Sequence, residues 1–374
     1  MQPQPEEMPA TATGSFPVST RIEALRVALI GAIVVLHADP AVELAPTHDL
    51  TSFVGNLLQH GPARSAVAVL SAISGYLLCK SRLDQTPGKL LRKKAATLIV
   101  PLVLWNLPLA LVTAFAQARG KLLDQRLQLT SPDPLEWLNA LLSLNANPVD
   151  YPLHFVRDLF VLALLAGLLS SWLRRWPLAV VIGVHVVFGM FNLDGNLLLR
   201  DDMPVMFFAG GALACVQADL TKLDGQWRAL LVVFSVASLA HVLTGDSTMV
   251  PFLRMVSVLG VWPAFGALSE TRFGVWLAAQ SPYSFWVFAS HAPVMKALRQ
   301  CWNPAALGVP DALFWLWGPP VSIAIGVLTF RVAARVAPGF TGLLVGGRIG
   351  SSRRSPAATK KVELEPAPLA RASE

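Results

Sequence analysis

Residues 21–39 read RIEALRVALIGAIVVLHAD, and the ten residues between Arg26 and His37 are apolar or glycine throughout. A lipid-facing barrel strand would alternate polar and apolar positions, and this run does not. In hydrocarbon a continuous apolar run satisfies its own backbone only as a helix. Nine similar runs follow, giving candidate spans at about 22–39, 63–79, 96–117, 155–173, 177–192, 203–218, 227–244, 250–268, 282–299 and 312–336. The predicted fold class is all-α: a polytopic integral membrane helix bundle of about ten transmembrane helices.

Composition agrees. Of 374 residues, 54% are hydrophobic and 14% charged, against about 25% charged in a soluble domain. That deficit excludes a water-facing exterior. Cys79, Cys215 and Cys301 stand far apart, which suggests neither a disulfide framework nor a zinc cluster. The formal charge of +7 sits mostly beside hydrophobic segments, where it orients the chain in a bilayer, so no nucleic acid partner is implied. Residues 1–20 are polar and Pro-rich without the basic start or cleavage site of a secretory signal, so the first apolar run is expected to remain as an anchor.

The loop after the second span holds Lys80, Arg82, Lys89, Arg92, Lys93 and Lys94, which assigns it to the cytoplasm. Alternating the spans then brings Arg174 and Arg175, Lys222 and Arg228, Arg272, and the C-terminal Arg348, Arg353, Arg354, Lys360 and Lys361 to the same side. The opposite loops carry Glu43, Asp49, Asp133, Glu136, Asp150, Asp201 and Asp202, with Arg and Lys fewer though not absent. Both termini are therefore predicted to be cytoplasmic. Three regions follow: a flexible segment at 1–20, a transmembrane domain at 21–345, and a tail at 346–374 whose Ser, Pro, Ala and charge predict disorder. The loop at about 118–154, rich in Asn, Asp and Pro, suits a partly ordered cap over a substrate cleft.

Four constellations bear on chemistry. Eleven helical steps from Arg26 to His37 advance about 16 Å and return to nearly the same face. An ionisable residue inside a span suggests function, and imidazole suits a base accepting a hydroxyl proton. The alternative is a snorkelling Arg26 and a packing His37. Ser74, Gly75 and Tyr76 close the second span, where small residues let helices approach. Arg92, Lys93 and Lys94 either mark topology alone or also hold phosphates. Arg157 and Asp158 begin a span and require pairing or a wet cavity, unless they are an interfacial Arg and a helix-start Asp. His291 lies in an aromatic span, where a hydrogen-bonded core histidine is the commoner case.

Taken in order, these elements resemble the acyltransferase-3 family of bacterial membrane O-acyltransferases over nearly all of 21–336. The family's Arg, ten residues and His are matched by Arg26 and His37, and its Ser-Gly-aromatic turn by Ser74, Gly75 and Tyr76. A basic pair followed by Thr or Ser, Pro and Trp, common in members that modify exopolysaccharides, is matched by Lys93, Lys94, Thr97, Pro101 and Trp105. The pattern Pro-Leu-Trp-Phe-x-Arg-Asp-Leu is matched at 152–159, with His154 in place of Trp. A late Ser, Tyr, His and Pro are loosely matched by Ser284, Phe288, His291 and Pro293. The usual pair contains an Arg; two lysines lack its planar bidentate recognition of phosphate.

The resemblance implies an enzyme that moves an acyl group, most often acetyl, from cytoplasmic acyl-coenzyme A to a hydroxyl of an exopolysaccharide or other cell-surface saccharide. It implies catalytic roles for His37, Asp158 and His291, donor binding by Arg26, Arg92, Lys93 and Lys94, and substrate contacts from Arg157, Ser74 and Tyr76. His37 is expected to act as general base or to carry the acyl group itself. No metal and no tightly bound cofactor are expected. The expected partners are membrane lipid, a polysaccharide or lipid-linked acceptor and polysaccharide synthesis or export machinery, and the expected location is a bacterial inner membrane. The rivals are a sugar or anion transporter using the intramembrane His and Arg, and a structural subunit of an export assembly.

Overall fold

The computed structural model describes residues 18–38, 50–121, 127–191, 193, 195, 197–200, 203–309 and 313–347. Most of the two expected terminal segments (1–17 and 348–374) lies outside these residues, as do Glu43, Asp49, Asp201 and Asp202. Every regular element among the described residues is helical, and the chain is a polytopic helical membrane protein.

A helix occupies each of the ten predicted places. These are α1 (Val18–Leu36), α2 (Phe53–Lys80), α3 (Pro87–Ala118), α5 (Tyr151–Leu168), α7 (Pro177–Met190), α8 (Met203–Cys215), α9 (Asp224–Thr244), α10 (Val250–Ser269), α12 (Ser284–Cys301) and α14 (Phe314–Val336). Shorter helices fill the connections: α4 (Pro134–Leu142), α6 (Ser170–Arg175), α11 (Arg272–Ala279), α13 (Pro304–Leu307) and α15 (Pro338–Leu344). Among the described residues six helices, α2, α3, α5, α9, α10 and α14, are long and apolar enough to cross a membrane by length and composition. Helices α7 and α8 are shorter. Helix α1 holds Arg21, Glu23 and Arg26 in its first half, and it packs against α2, α10, α11, α12 and α14 at the centre of the bundle.

Small residues draw α2 and α8 together. A Cβ on Gly75 would stand 1.8 Å from the carbonyl oxygen of Phe207, and one on Gly210 would stand 1.9 Å from that of Ala72. Two backbones that approach this closely admit no side chain at either point. Outward, Val232 and Val236 on α9 and Leu328 and Val332 on α14 are exposed, as a lipid-facing surface requires.

Two ion pairs fix the basic end. Arg174 grips both oxygens of fully buried Asp84 at 2.7 and 2.8 Å and donates to the carbonyl of Cys79 at 3.0 Å. This pins the α2–α3 turn, where Arg82 adopts φ 53°. Arg21 donates to Asp224 at 2.9 and 2.5 Å and lies over Trp262, tying α1 to α9.

Helix α3 widens by one π turn at Ala95–Ile99, directly before Pro101, whose ring would otherwise collide with the carbonyl one turn back. Thr97 and Trp105 on this helix meet the turn at the end of α15. Trp105 donates to the carbonyl of Leu344 at 3.1 Å, and Gly346, at φ +63°, lies so close to Thr97 that a Cβ would meet its carbonyl oxygen at 2.5 Å.

Candidate active site

His37 follows the last turn of α1, where its N–H bonds to the carbonyls of Ile33 and Val34 at 3.2 Å. Its Nδ1 lies 2.9 Å from Nε2 of His291, which is wholly buried on α12. Nδ1 of His291 in turn faces the carbonyl of Phe288 at 2.5 Å. A carbonyl only accepts, so a neutral His291 carries its proton on Nδ1 and presents a lone pair at Nε2. His37 must then donate from Nδ1, and its own Nε2 is left as a bare lone pair. The chain of bonds thus selects the tautomer in which His37 is a base. The ring of Tyr151 stands edge-on to His37, with centroids 5.0 Å apart.

A second imidazole obeys the same logic. Nδ1 of His154 faces the carbonyl of Tyr151, and its Nε2 accepts from Nε of Arg200 at 3.0 Å. Arg200 and His154 are the charged and titratable neighbours of His37 beyond His291. Arg157 and Asp158 lie just behind. Arg157 donates to Asp158 at 2.9 Å, to the carbonyl of Leu144 at 2.5 Å and to that of Leu197. Asp158 also accepts from the N–H of Leu199 at 3.2 Å. The pair therefore fastens two segments, 143–150 and 197–200, to the start of α5.

The segment before α5 is partly ordered by α3. Asn106 donates to the carbonyl of Leu141 at 3.3 Å and accepts from the N–H of Asp150 at 2.9 Å. Asp150 itself is buried, and neither carboxyl oxygen meets a partner. Burial pushes its carboxyl well above the usual carboxylate range.

On the basic side of the histidines lies a cavity of about 850 Å³. Arg26, Lys93, Lys94 and Ser74 stand on its wall, with Glu23 beside Arg26. The structure thus brings together four residues of the predicted donor and substrate sets. Arg92 is exposed and lines no part of this cavity. Tyr76 points to the other side of α2, into a smaller apolar pocket, where its hydroxyl accepts from Lys80 at 3.1 Å. Ser74 bonds to the carbonyl of Leu70 at 2.7 Å. No three His, Cys, Asp or Glu side chains among the described residues converge as metal ligands.

Sequence reasoning named His291 but not its bond to His37, and it singled out neither Arg200 nor Tyr151. Of these, Arg200 left a trace in sequence, as a cation beside Asp201 and Asp202 in a loop on the less basic side.

A family model for an acyltransferase domain matches residues 19–331. The succinoglycan biosynthesis protein ExoH of Rhizobium meliloti (strain 1021) is 28% identical over 351 residues, spanning 90% of this chain and 94% of that protein. No solved structure matches. The match takes in both histidines, the basic cavity and the fastened outer segments, and the chain belongs to the acyltransferase-3 family of membrane acyltransferases.

Proposed function

We propose that the chain transfers an acyl group, acetyl in the simplest case, from coenzyme A at the cytoplasmic side to a sugar hydroxyl of an exopolysaccharide at the opposite side of a bacterial inner membrane. The observation that carries this reading is His37, with Nε2 unprotonated, two helical turns beyond the Ile30 wall of a cationic cavity. The similarity to a succinoglycan biosynthesis protein supports an exopolysaccharide acceptor. The basic loop at the cavity mouth supports a cytoplasmic donor and cytoplasmic termini.

In this reading Arg26, Lys93 and Lys94 hold the phosphates of the donor, and the pantetheine arm runs through the cavity toward His37. The sugar oxygen attacks the thioester carbonyl carbon while its proton passes to Nε2 of His37. The new C–O bond leaves negative charge on the former carbonyl oxygen, beside the cation of Arg200. When the carbonyl re-forms, the C–S bond breaks and the proton on His37 passes to the departing thiolate. The products are the O-acyl ester and free coenzyme A thiol. His291 is a positioning residue: its Nε2 holds the Nδ1–H of His37 and steadies the imidazolium, much as a triad carboxylate does. Arg157 and Asp158 act on the acceptor side by holding the two outer segments in place.

Proton NMR of the surface polysaccharide from cells carrying wild type, His37→Ala or no chain tests this. O-acyl signals are expected with wild type alone. Identical spectra from all three, with both proteins present in the membrane, overturn the reading.

A further inference from the structure

The basic cavity stops short of the histidines. Its outermost wall residues are Ile30 on α1, Leu70 on α2, Phe155 on α5 and Phe288 on α12, and His37 lies two turns beyond Ile30 along α1. Phe155 and Phe288 meet edge to face with centroids 5.9 Å apart. Phe288 also leans on His291 at 5.8 Å and on Phe285 at 6.3 Å. Phe288 is 5% exposed: its ring borders the cavity on one side and packs against Phe155, Phe285 and His291 on the others. The carbonyl of this same residue sets the tautomer of His291.

We propose that Phe155 and Phe288 form an aromatic constriction between the donor cavity and the histidine pair, and that it sets the size of the acyl group delivered to His37. This rests on the reading of the cavity as the donor side. A thioester lying in the cavity meets the two rings before it meets His37. A short acyl group passes between them with a small displacement, whereas a longer chain must push both rings into packed neighbours. Each methylene in such a slot changes discrimination by about tenfold or more. Closed rings also separate the thioester from water on the outer side, which limits hydrolysis when no acceptor is bound.

The test uses membrane vesicles holding the full chain and compares initial rates with acetyl-, succinyl- and hexanoyl-coenzyme A. Wild type is expected to prefer the shorter donors. Phe288→Ala and Phe155→Ala are expected to raise the hexanoyl-to-acetyl ratio at least tenfold and to increase thioester hydrolysis without acceptor. If either alanine variant fails to insert, Phe288→Leu and Phe155→Leu, which keep most of the volume, are expected to raise the ratio at least threefold. An unchanged ratio in inserted variants overturns the constriction while leaving the acyltransferase reading intact. A wild type that turns over none of the three donors overturns both.

Discussion

Nδ1 of His37 and Nε2 of His291 stand 2.9 Å apart although 254 positions separate them in the chain. One is at the end of the first helix and the other near the middle of a late one, so the bond closes the helical bundle on itself at its polar centre. Because His291 also faces the carbonyl of Phe288, protons have a single consistent arrangement along the chain of three groups.

That arrangement makes His291 separable from mere packing. Replacing it by Leu removes the acceptor for His37, so kcat is expected to fall on the order of a thousandfold, about a tenth of the ten-thousandfold loss when a triad carboxylate is removed. The donor KM should stay within about threefold, because His291 lies outside the donor cavity. His291→Gln places an oxygen acceptor near the same point and is expected to recover about tenfold over Leu. Steady-state kinetics in vesicles reads both. A donor KM that rises in step with the loss of kcat, or a Gln variant no better than Leu, removes the positioning role.

The cavity divides the basic residues. Arg26, Lys93 and Lys94 line it, whereas Arg92 points away. A single lost charge-assisted contact is worth about 1.5 kcal/mol, so Arg26→Ala, Lys93→Ala and Lys94→Ala should each raise the donor KM roughly tenfold, the change that energy corresponds to. Arg92→Ala should change it by less than about threefold. Titration of initial rate against acetyl-coenzyme A decides the matter, and equal effects at all four positions would mean that the cations act only as a diffuse field.

The ten apolar runs were legible because hydropathy and the absence of alternation are local properties. The stripe from Arg26 to His37 was legible for the same reason. Contacts between distant segments were not: nothing near His37 announces His291, and nothing near His154 announces Arg200. Some of the missing detail was within reach of helix geometry. Ser74 and Tyr76 are two steps apart, about 200° around a helix, so a single cavity was never going to receive both, and the structure gives Ser74 to the large cavity and Tyr76 to the small one. Arg174 looked like an orientation signal and also serves as the partner of Asp84, because the positive-inside bias counts charges without saying where they point.

The Asp84–Arg174 pair offers a stability test free of chemistry. Asp84 is fully buried, so Asp84→Ala leaves Arg174 without its counter-charge, a loss on the order of 3 kcal/mol. The detergent-solubilised protein should melt several degrees lower. Removing Arg174 as well eliminates the stranded cation, and the double variant is expected to recover part of the loss. Heating followed by gel filtration measures the midpoints. A single variant that melts with wild type would show that water or lipid headgroups replace the carboxylate.

Asp150 carries the pH dependence. Its buried carboxyl has no partner on either oxygen, and burial raises its folded-state pKa well above the ordinary value. Between the unfolded pKa, about 3.9, and the raised folded one, the folded chain holds a proton that the unfolded chain has released. Stability therefore falls as pH rises through that window, by up to about 1.4 kcal/mol per pH unit from this one group. Asp150→Asn keeps the shape without the ionisation, so it is expected to match wild type near pH 4 and to melt progressively higher than wild type as pH increases. Thermal midpoints of both proteins across pH 4 to 8 show the divergence. Parallel curves would mean that Asp150 finds a cation or water in the folded protein, and the outer segment would then owe nothing to a neutral carboxyl.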